Sequence, residues 1–452
     1  MLIEPMIERK DHLSRTSYRS ALSVGLETPQ GVTYKKPNFS VLRPDQTYIS
    51  VEQAMMYVGD NSTYSKRIIF LMSVMWMPYA FLVTGISLFL DVNASFYCMD
   101  GLTGTNQPCD KQAACASGRE IVLKPDKTIV NEFKLICNKA YLIAWISSTI
   151  YFTLVMSNTV FPVLSDRYGR KDTLMIALLV ASALLIVSTF CHQFSLWMVC
   201  ISLAGFCFGG VETVGRVYLS EISGPNFRVN SNAILSVVWA SSQIILGFII
   251  TFFQNWRAIF AFIMGAPGVA VAIVGVFLLD ESPIYLSTMV GHVKESKRVL
   301  KKMTITNKRP PFRFNLVSEL TKKNSEYVSK DKNSLFNPRE KNKKKPGLTI
   351  LESLVPQLWL LTLWAVYYFA YFGLQFSIGT FGDAAVSFTY NGVAELLGVV
   401  AGAQIIKKFG KKPLMKWQIS IAACASLSIF WLGDQMALTA FLVFRSLTSR
   451  QT

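Results

Sequence analysis

The chain has 452 residues, of which 51% are hydrophobic and 16% are charged, and its formal net charge is +17. Soluble globular domains contain about 25% charged residues. The composition therefore argues against an ordinary soluble domain, and the excess of basic residues has to be explained by where those residues lie.

Apolar residues form blocks of about 20, the length that an α-helix needs to cross a bilayer. A large soluble helical core could contain one or two such blocks, but not the nine found here. We therefore predict an all-α polytopic membrane protein with about nine complete spans and a partial tenth. The complete spans are predicted at 68–90, 141–164, 173–191, 196–218, 234–253, 258–279, 358–377, 384–406 and 414–432, and the partial span at 436–444.

Basic residues are concentrated between residues 291 and 345, where 17 Lys and Arg face five acidic residues. Lys and Arg accumulate in cytoplasmic loops, where they lie near anionic lipid. We therefore predict a cytoplasmic connector rather than a nucleic-acid-binding segment. Counting spans from it places the N-terminus in the cytoplasm and the loop 91–138 outside.

The loop 91–138 has the features of an extracellular segment. It contains the sequon Asn93-Ala94-Ser95, so Asn93 is predicted to carry a glycan, whereas the sequons at Asn38 and Asn61 are predicted to be silent. Its four cysteines are Cys98, Cys109, Cys115 and Cys137. Four cysteines in an oxidising compartment predict two disulfides, with three pairings possible. The other four (Cys191, Cys200, Cys207 and Cys424) lie in spans and are interpreted as small packing residues.

A dense charge cluster, SDRYGRKD at 165–172, lies between the second and third predicted spans. Gly169 permits a tight reversal of the chain there, and Arg167 and Arg170 are suited to anchoring a cytoplasmic turn. The sequence KKFGKK at 407–412 repeats the pattern in the second half. Two similar turns on either side of a long loop indicate a duplicated transporter with six helices in each half.

SDRYGRK resembles the signature between the second and third helices of the major facilitator superfamily. Further segments resemble motifs of its organic cation/anion/carnitine transporters, solute carrier family 22. These are TIVNEFKLIC (128–137), YLSEISGPNFR (218–228), NWR (255–257), DESPIYL (280–286) and YFGLQFSIGTFG (371–382). The resemblance implies two six-helix bundles that rock about a central cavity, and a transporter rather than an enzyme. No ATP-binding loop, catalytic triad or metal-binding cluster is recognised in the sequence, and no cofactor is expected.

The resemblance also implies a cytoplasmic latch, in which ion pairs hold one state of the transporter and break as the gate opens. Asp166 and Arg170 would pair with Glu221, Arg228 and Glu281. Arg167 and Gly169 of the same turn are included in the predicted latch. A purely structural role, holding helix ends together, is the alternative. The second signature departs from the family pattern, because Lys407 stands where the family has an aspartate.

Charged residues within spans usually face a cavity or a partner, because each costs roughly 2.5–3.5 kcal/mol at a helix centre. Glu212 and Arg216 lie four residues apart on one helical face. They are interpreted as cavity residues, with Arg216 favouring a carboxylate, or alternatively as a self-neutralised structural pair. The complete set of predicted substrate contacts is Glu212, Arg216, Tyr367, Tyr371, Gln375 and Glu395.

We predict four segments along the chain. They are a cytoplasmic N-terminal segment (1–66), an N-terminal six-helix bundle including the loop 91–138 (67–280), a basic cytoplasmic connector (281–355) and an incomplete C-terminal bundle (356–452). The predicted function is transport of small organic ions by a multi-pass plasma-membrane protein that contacts lipids and does not bind nucleic acid. The alternative is a truncated, transport-inactive chain acting as an interacting membrane protein, because the last two helices of the family pattern are not found. The substrate, the coupling ion and the oligomeric state are left open.

Overall fold

The structure is a computed structural model of the 452-residue chain. It describes residues 48–59, 61–90, 95–99, 106–108, 115, 121–124, 128–225, 227–253, 255–289, 292–312, 314–316, 354, 357–358, 361–362, 365, 371–372 and 384–409. The chain divides into two compact units, Met1–Thr47 and Tyr48–Thr452, and every described residue belongs to the second.

The described elements are mainly helices. Those of the first half are α1 (Val51–Val58), α2 (Thr63–Phe89), α3 (Ile129–Glu132), α4 (Tyr141–Tyr168), α5 (Arg170–Ser188), α6 (Phe194–Ile222) and α7 (Arg228–Phe252). Next come α8 (Trp256–Ala258), a π-helical segment (Ile259–Gly265), α9 (Ala266–Leu278), α10 (Pro283–Thr288), α11 (Val293–Thr306) and α12 (Ala384–Phe409). The strands are β1 (Tyr48–Ile49), β2 (Ser95–Met99), β3 (Asn106–Pro108), β4 (Ile121–Lys124) and β5 (Asn315–Leu316).

Seven helical segments within the described part are long and apolar enough to cross a membrane. They correspond to the first six predicted spans and the eighth, so the prediction of a polytopic α-helical protein is confirmed. The first span begins at Thr63, five residues before the predicted start, because the Ser62 side chain caps it by accepting a hydrogen bond from the Ser65 backbone. Most of the predicted span 358–377 and all of the predicted spans 414–432 and 436–444 lie outside the described residues.

The first six spans pack closely because small residues face their neighbours. A Cβ atom at Gly210 of α6 would lie 2.4 Å from the Phe161 ring of α4, and one at Gly268 of α9 would lie 2.1 Å from Ser182 Oγ of α5. Small residues at helix contacts let backbones approach in a membrane, where lipid removes the hydrophobic drive for association. The sequence therefore specifies α4–α6 and α5–α9 as tight contacts.

The short elements that precede the first span pack against those that follow the sixth span. β1 pairs in parallel with β5, with Tyr48 opposite Asn315 and Ile49 opposite Leu316. The Asn307 side chain accepts a hydrogen bond from the Tyr64 backbone (3.0 Å) and donates one to the Val58 carbonyl (3.1 Å). Residues 48–66, which the sequence groups with the N-terminal segment, thus pack against the first part of the predicted connector, and that part contains α10 and α11. The four segment limits themselves stay a prediction.

The predicted extracellular loop contains a three-stranded antiparallel sheet in the order β3-β2-β4. A disulfide joins Cys115 to Cys137, just before α4. If a second disulfide forms among the four loop cysteines, this bond leaves Cys98 and Cys109 as its members. Asn93, Asn38 and Cys109 lie outside the described residues, so glycosylation and the second bond stay predictions. Asn61 is exposed immediately before α2.

The described part of the second half is chiefly α12, which crosses α7 at close range. A Cβ atom at Gly247 of α7 would lie 2.1 Å from Thr389 Oγ1, and one at Gly392 of α12 would lie 2.8 Å from an Ile244 side-chain carbon. One glycine on each helix therefore permits this contact between the halves.

Candidate cytoplasmic latch and substrate site

The turn between α4 and α5 is a single residue, Gly169, with φ 106° and ψ 155°. That conformation is essentially restricted to glycine. A Cβ atom there would lie 2.5 Å from Glu281 Oε2. The backbone conformation and the close approach of a carboxylate thus both require glycine at this position.

Glu281 caps the start of α5. Its carboxylate accepts hydrogen bonds from the backbone N–H groups of Arg170 (3.1 Å), Lys171 (3.2 Å) and Ser282 (2.8 Å). Unpaired N–H groups at a helix N-terminus, together with the helix dipole, favour an anion. Burial raises the pKa of Glu281 above its ordinary value, while the three backbone hydrogen bonds oppose that rise. Glu281 therefore connects the end of the sixth span to the turn between the second and third.

The Arg170 guanidinium lies at the centre of the charge cluster. It donates to Ser165 Oγ (2.9 Å) and forms an ion pair with Asp166, and its Nε lies 3.4 Å from Glu221 Oε1 on α6. It also stacks over the Tyr285 ring at 5.2 Å. The side chains of Arg170 and Glu221 are 13% and 15% exposed, whereas that of Asp166 is 67% exposed. The Arg170–Glu221 pair is thus shielded from water, whereas the Asp166 carboxylate of the other pair is solvated.

Two arginines of the predicted latch lie outside this cluster. Arg228 donates to the backbone carbonyl of Ser220 (2.8 Å), and its side chain forms no ion pair with a carboxylate within the described residues. Arg167 is exposed and stacks over Tyr168 at 5.6 Å. The structure therefore brings together Asp166, Arg170, Glu221 and Glu281, and leaves Arg228 to cap the end of α6.

Asp280, which the sequence did not single out, holds a second set of contacts beside the first. Its carboxylate pairs with Lys302 of α11 (2.8 Å) and accepts a hydrogen bond from the Tyr64 hydroxyl of α2 (3.0 Å). Its backbone carbonyl accepts from the Tyr218 hydroxyl of α6 (2.6 Å). The adjacent acids Asp280 and Glu281 thus tie the end of the sixth span to different neighbours.

Within the first bundle, Glu212 and Arg216 form an ion pair at 3.3 Å, and their side chains are 27% and 28% exposed. Tyr79 of α2 donates a hydrogen bond to Glu212 (2.5 Å), and Arg216 stacks over the Trp76 ring at 5.2 Å. Both sequence interpretations, cavity wall and self-neutralised pair, include this contact. The partial exposure favours the cavity wall, because a buried structural pair would be enclosed.

A buried hydrogen-bonded network joins α7 to α12. Glu395, 2% exposed, accepts hydrogen bonds from Gln243 (2.6 Å) and Tyr371 (2.9 Å). Trp239 donates to the Tyr371 hydroxyl (2.9 Å), and Asn391 donates to Gln243 (2.7 Å). Buried carboxylates require such partners. Tyr371 and Glu395, predicted from sequence, therefore meet in space, while Tyr367 and Gln375 lie outside the described residues.

The charged pair and the buried network are neighbours. The Tyr79 ring, which reaches Glu212, lies 5.5 Å from the Trp239 ring. Trp239 and Gln243 were missed by the sequence analysis, because neither is charged and neither belongs to a segment that resembles a family motif. Side chains from α2, α6, α7 and α12 thus form one continuous row of polar and aromatic contacts through the membrane-spanning region.

On the opposite side of the membrane, Glu132 of α3 holds Arg257 of α8. The guanidinium Nε donates to both carboxylate oxygens (3.0 and 3.2 Å), and the Trp256 indole donates to one of them (2.8 Å). Arg257 also donates to the backbone carbonyls of Thr189 and Cys191, in the turn between α5 and α6. This set is called the outer node. It connects the end of the predicted extracellular loop to two turns of the bundle.

The sequence profile of the Major Facilitator Superfamily matches residues 130–448 of this chain. The chain belongs to that superfamily. The match includes the charge cluster at the α4–α5 turn and the α6, α7 and α12 side chains described above, and the predicted recognition and fold class are confirmed.

Curated relatives of this superfamily chain include members of solute carrier family 22, at low identity. A protein from Xenopus tropicalis, solute carrier family 22 member 15, is 25% identical over 77% of this chain and 63% of its own length. Organic cation transporter 1 from Caenorhabditis elegans is 23% identical over 68% of this chain and 51% of its own length. The chain thus spans between about half and two thirds of these relatives.

A solved structure, the partially occluded inward open conformation of the xylose transporter XylE from E. coli, aligns with a TM-score of 0.53. It covers 86% of this chain and 84% of XylE at 14% sequence identity. At that identity the likeness establishes the major facilitator fold alone. Within the described residues, no group of three or more His, Cys, Asp or Glu side chains is placed to hold a metal ion.

The outer node gives a pH prediction for this protein. Burial opposes ionisation of Glu132, but hydrogen bonds from Arg257 and Trp256 outweigh burial and hold its pKa below the ordinary value of 4.5. A carboxyl with a lowered folded-state pKa contributes stability above its unfolded pKa, and that stability is lost as pH falls through the folded pKa. We expect Glu132→Gln to lower the thermal unfolding midpoint most at neutral pH, and the difference from wild type to shrink below about pH 4.5.

The measurement is thermal unfolding of both purified proteins between about pH 3.5 and 7. A difference between the two proteins that stays constant across the whole range would contradict this account of the node.

Proposed function

We propose that this chain carries small organic ions across the plasma membrane by alternating access, with its N-terminus in the cytoplasm. The observation that supports this most directly is the partly exposed Glu212–Arg216 pair, set among aromatic side chains beside a buried network that reaches the second half. A charged residue in a span is costly unless it faces a cavity or a partner, and the partial exposure of this pair favours a cavity. The relative named organic cation transporter is consistent with an organic-ion substrate.

The chemistry of the pair favours substrates that carry a carboxylate. Arg216 presents a planar guanidinium, which binds carboxylates through two parallel hydrogen bonds. Its Nε donates to Glu212, and 28% of the side chain remains exposed. A substrate carboxylate would share Arg216 with Glu212, and a substrate ammonium group could approach Glu212 or the faces of Trp76 and Tyr79. Anions and zwitterions are therefore the proposed substrate class, ahead of simple cations.

The proposal includes a role for the cytoplasmic cluster. In this role Arg170 bridges the α4–α5 turn to Glu221 of α6 in one state of the cycle and releases it in the other. Partly shielded ion pairs are stronger than surface pairs and still weak enough to break during a transport cycle. The structural alternative, a fixed brace between helix ends, predicts instead that its removal changes stability without changing the cycle.

Charge preference tests the substrate site. We expect Arg216→Ala to reduce uptake of a dicarboxylate and of β-alanine at least tenfold more than uptake of tetraethylammonium, because one lost charge-assisted contact is worth about 1.5–3 kcal/mol. Uptake of radiolabelled probes into proteoliposomes containing the purified chain measures this. Binding of the same probes, followed by thermal shift, gives a second readout that does not require turnover.

Two further variants control this test. Arg298→Ala removes an exposed arginine of α11 and should leave all three probes unchanged. Glu212→Gln removes the competing carboxylate and should favour the dicarboxylate over the cation. Equal losses for every probe in Arg216→Ala would show that the pair is structural and would sink the proposed preference.

A further inference from the structure

Two cysteines that the sequence analysis interpreted as packing residues face each other in the structure. The Sγ atoms of Cys191 and Cys200 are 3.9 Å apart. Both side chains are buried, with 5% and 7% of their surface exposed. Cys191 lies in the turn after α5, and Cys200 lies in the second turn of α6. The proposed transport mechanism uses neither residue.

The position of the pair identifies its chemical environment. The turn between α5 and α6 is at the same membrane face as the start of α4, because α4 and α5 are antiparallel neighbours joined by one residue at the other face. The Cys115–Cys137 disulfide lies at the start of α4. Disulfides persist in oxidising compartments. Cys191 and Cys200 are therefore on the oxidising side of the membrane.

The outer node fixes the turn that carries Cys191. Arg257 donates to the carbonyl of Cys191 itself (3.1 Å) and to that of Thr189, and Glu132 holds the guanidinium. Two backbone contacts in three residues leave the turn little freedom to move away from α6. The two sulfurs are thus kept close by contacts that are independent of either thiol.

We propose that Cys191 and Cys200 form a further disulfide, which joins the α5–α6 turn covalently to α6. A disulfide requires an S–S distance of about 2.05 Å, so the sulfurs must approach by about 2 Å. A change of one staggered side-chain rotamer moves a sulfur farther than that.

The bond forms by thiol–disulfide exchange with a disulfide donor of the secretory pathway. One thiolate attacks a donor sulfur and forms a mixed disulfide, releasing the first donor thiolate. The second cysteine thiolate then attacks the mixed disulfide and releases the other donor thiolate. The two cysteines lose two electrons, the donor gains them, and the two cysteine protons pass to the donor thiolates. Because both sulfurs are buried in the folded chain, the exchange takes place during folding.

Differential alkylation of the full chain, expressed in eukaryotic cells, tests the proposal. Cells are quenched in acid, free thiols are alkylated with N-ethylmaleimide under denaturing conditions, and disulfides are then reduced and alkylated with a heavy-isotope maleimide. We expect Cys191 and Cys200 to carry the heavy label in most molecules. Non-reducing digestion should yield the two peptides joined to each other.

Cys191, Cys200 and Cys207 are all free thiols in the structure, and Cys207 provides the internal control, because it lies on the same helix, is half-buried and contacts no other cysteine sulfur within the described residues. It should carry the light label. In Cys191→Ser, the label on Cys200 should change from heavy to light, which excludes a bond from Cys200 to another cysteine. Light label on both Cys191 and Cys200 of the wild-type chain overturns the proposal, and that result does not depend on the folding of any variant.

Discussion

Replacing Gly169 with alanine is expected to destabilise the protein by about 3 kcal/mol or more, which is a large effect for the addition of one methyl group. The backbone conformation at Gly169 (φ 106°, ψ 155°) costs a side-chain-bearing residue about 1–3 kcal/mol. In addition, the new Cβ would lie 2.5 Å from Glu281 Oε2 and would displace a carboxylate that three backbone N–H groups bind. Hydrogen bonds to a charged group contribute about 1.5–3 kcal/mol each.

Gly59→Ala is the matched control, because Gly59 also has a positive φ (105°) but its Cβ would meet nothing closer than 3.5 Å. The thermal unfolding midpoint of each variant, measured in the same detergent, separates backbone strain from loss of the Glu281 contacts. We expect a clearly larger decrease for Gly169→Ala. Equal decreases in the two variants would mean that Glu281 contributes little to holding the α4–α5 turn.

Much of the helical architecture could be predicted from the sequence, because hydrophobic length is a local property. The six spans of the first half and the span at α12 follow from apolar blocks of about 20 residues. The observed start of a span differs from the predicted start where a capping residue lengthens the helix, as Ser62 does at the beginning of α2. No hydrophobicity pattern could show that residues 48–66 pack on α11, because that contact depends on single hydrogen bonds such as those of Asn307.

The sequence predicted which residues belong to the candidate latch better than it predicted the contacts between them. Asp166 and Arg170 are four residues apart on either side of the Gly169 turn, so their proximity follows from their closeness along the chain. Glu281 was expected beside them from resemblance, yet its carboxylate binds backbone N–H groups rather than the Arg170 side chain. Arg228 carries the right charge, but its guanidinium turns to a helix-end carbonyl. Charge indicates which residues need partners and leaves the choice of partner to the fold.

The outer node shows where sequence reasoning reached its limit. Glu132 and Arg257 lie in two motifs recognised from resemblance, but 125 residues separate them along the chain. Nothing in either motif indicates that one holds the other. One usable signal was available, since both motifs flank spans on the same predicted side of the membrane. Opposite charges at equivalent ends of neighbouring spans are candidates for such a pair.

The second large effect concerns the charge cluster at the α4–α5 turn, whose charged residues are expected to differ in their contribution to stability. We expect Arg170→Ala to lower stability by about 1–3 kcal/mol and Asp166→Asn to lower it by less than about 1 kcal/mol. Arg170 and Glu221 are shielded, so removing the guanidinium leaves a carboxylate that water compensates only in part. The Asp166 side chain is 67% exposed, and solvent replaces most of what it loses. Thermal unfolding measures the first effect, and initial uptake rate measures the effect on the transport cycle.

Arg167→Ala and Arg170→Lys make the comparison specific. Arg167 belongs to the same turn and carries the same charge, but it is exposed and stacks over the exposed ring of Tyr168, so its loss should change stability by less than about 0.5 kcal/mol. Arg170→Lys keeps the charge, but a single ammonium group cannot match the guanidinium's contacts with Ser165, Asp166, Glu221 and the Tyr285 ring. The stability of Arg170→Lys should therefore lie between that of Arg170→Ala and that of the wild type. A latch requires that Arg170→Ala change uptake beyond what its lost stability explains. If uptake per folded molecule is normal in Arg170→Ala while stability falls, then the cluster is a brace between helix ends, and the gate must be held by other residues.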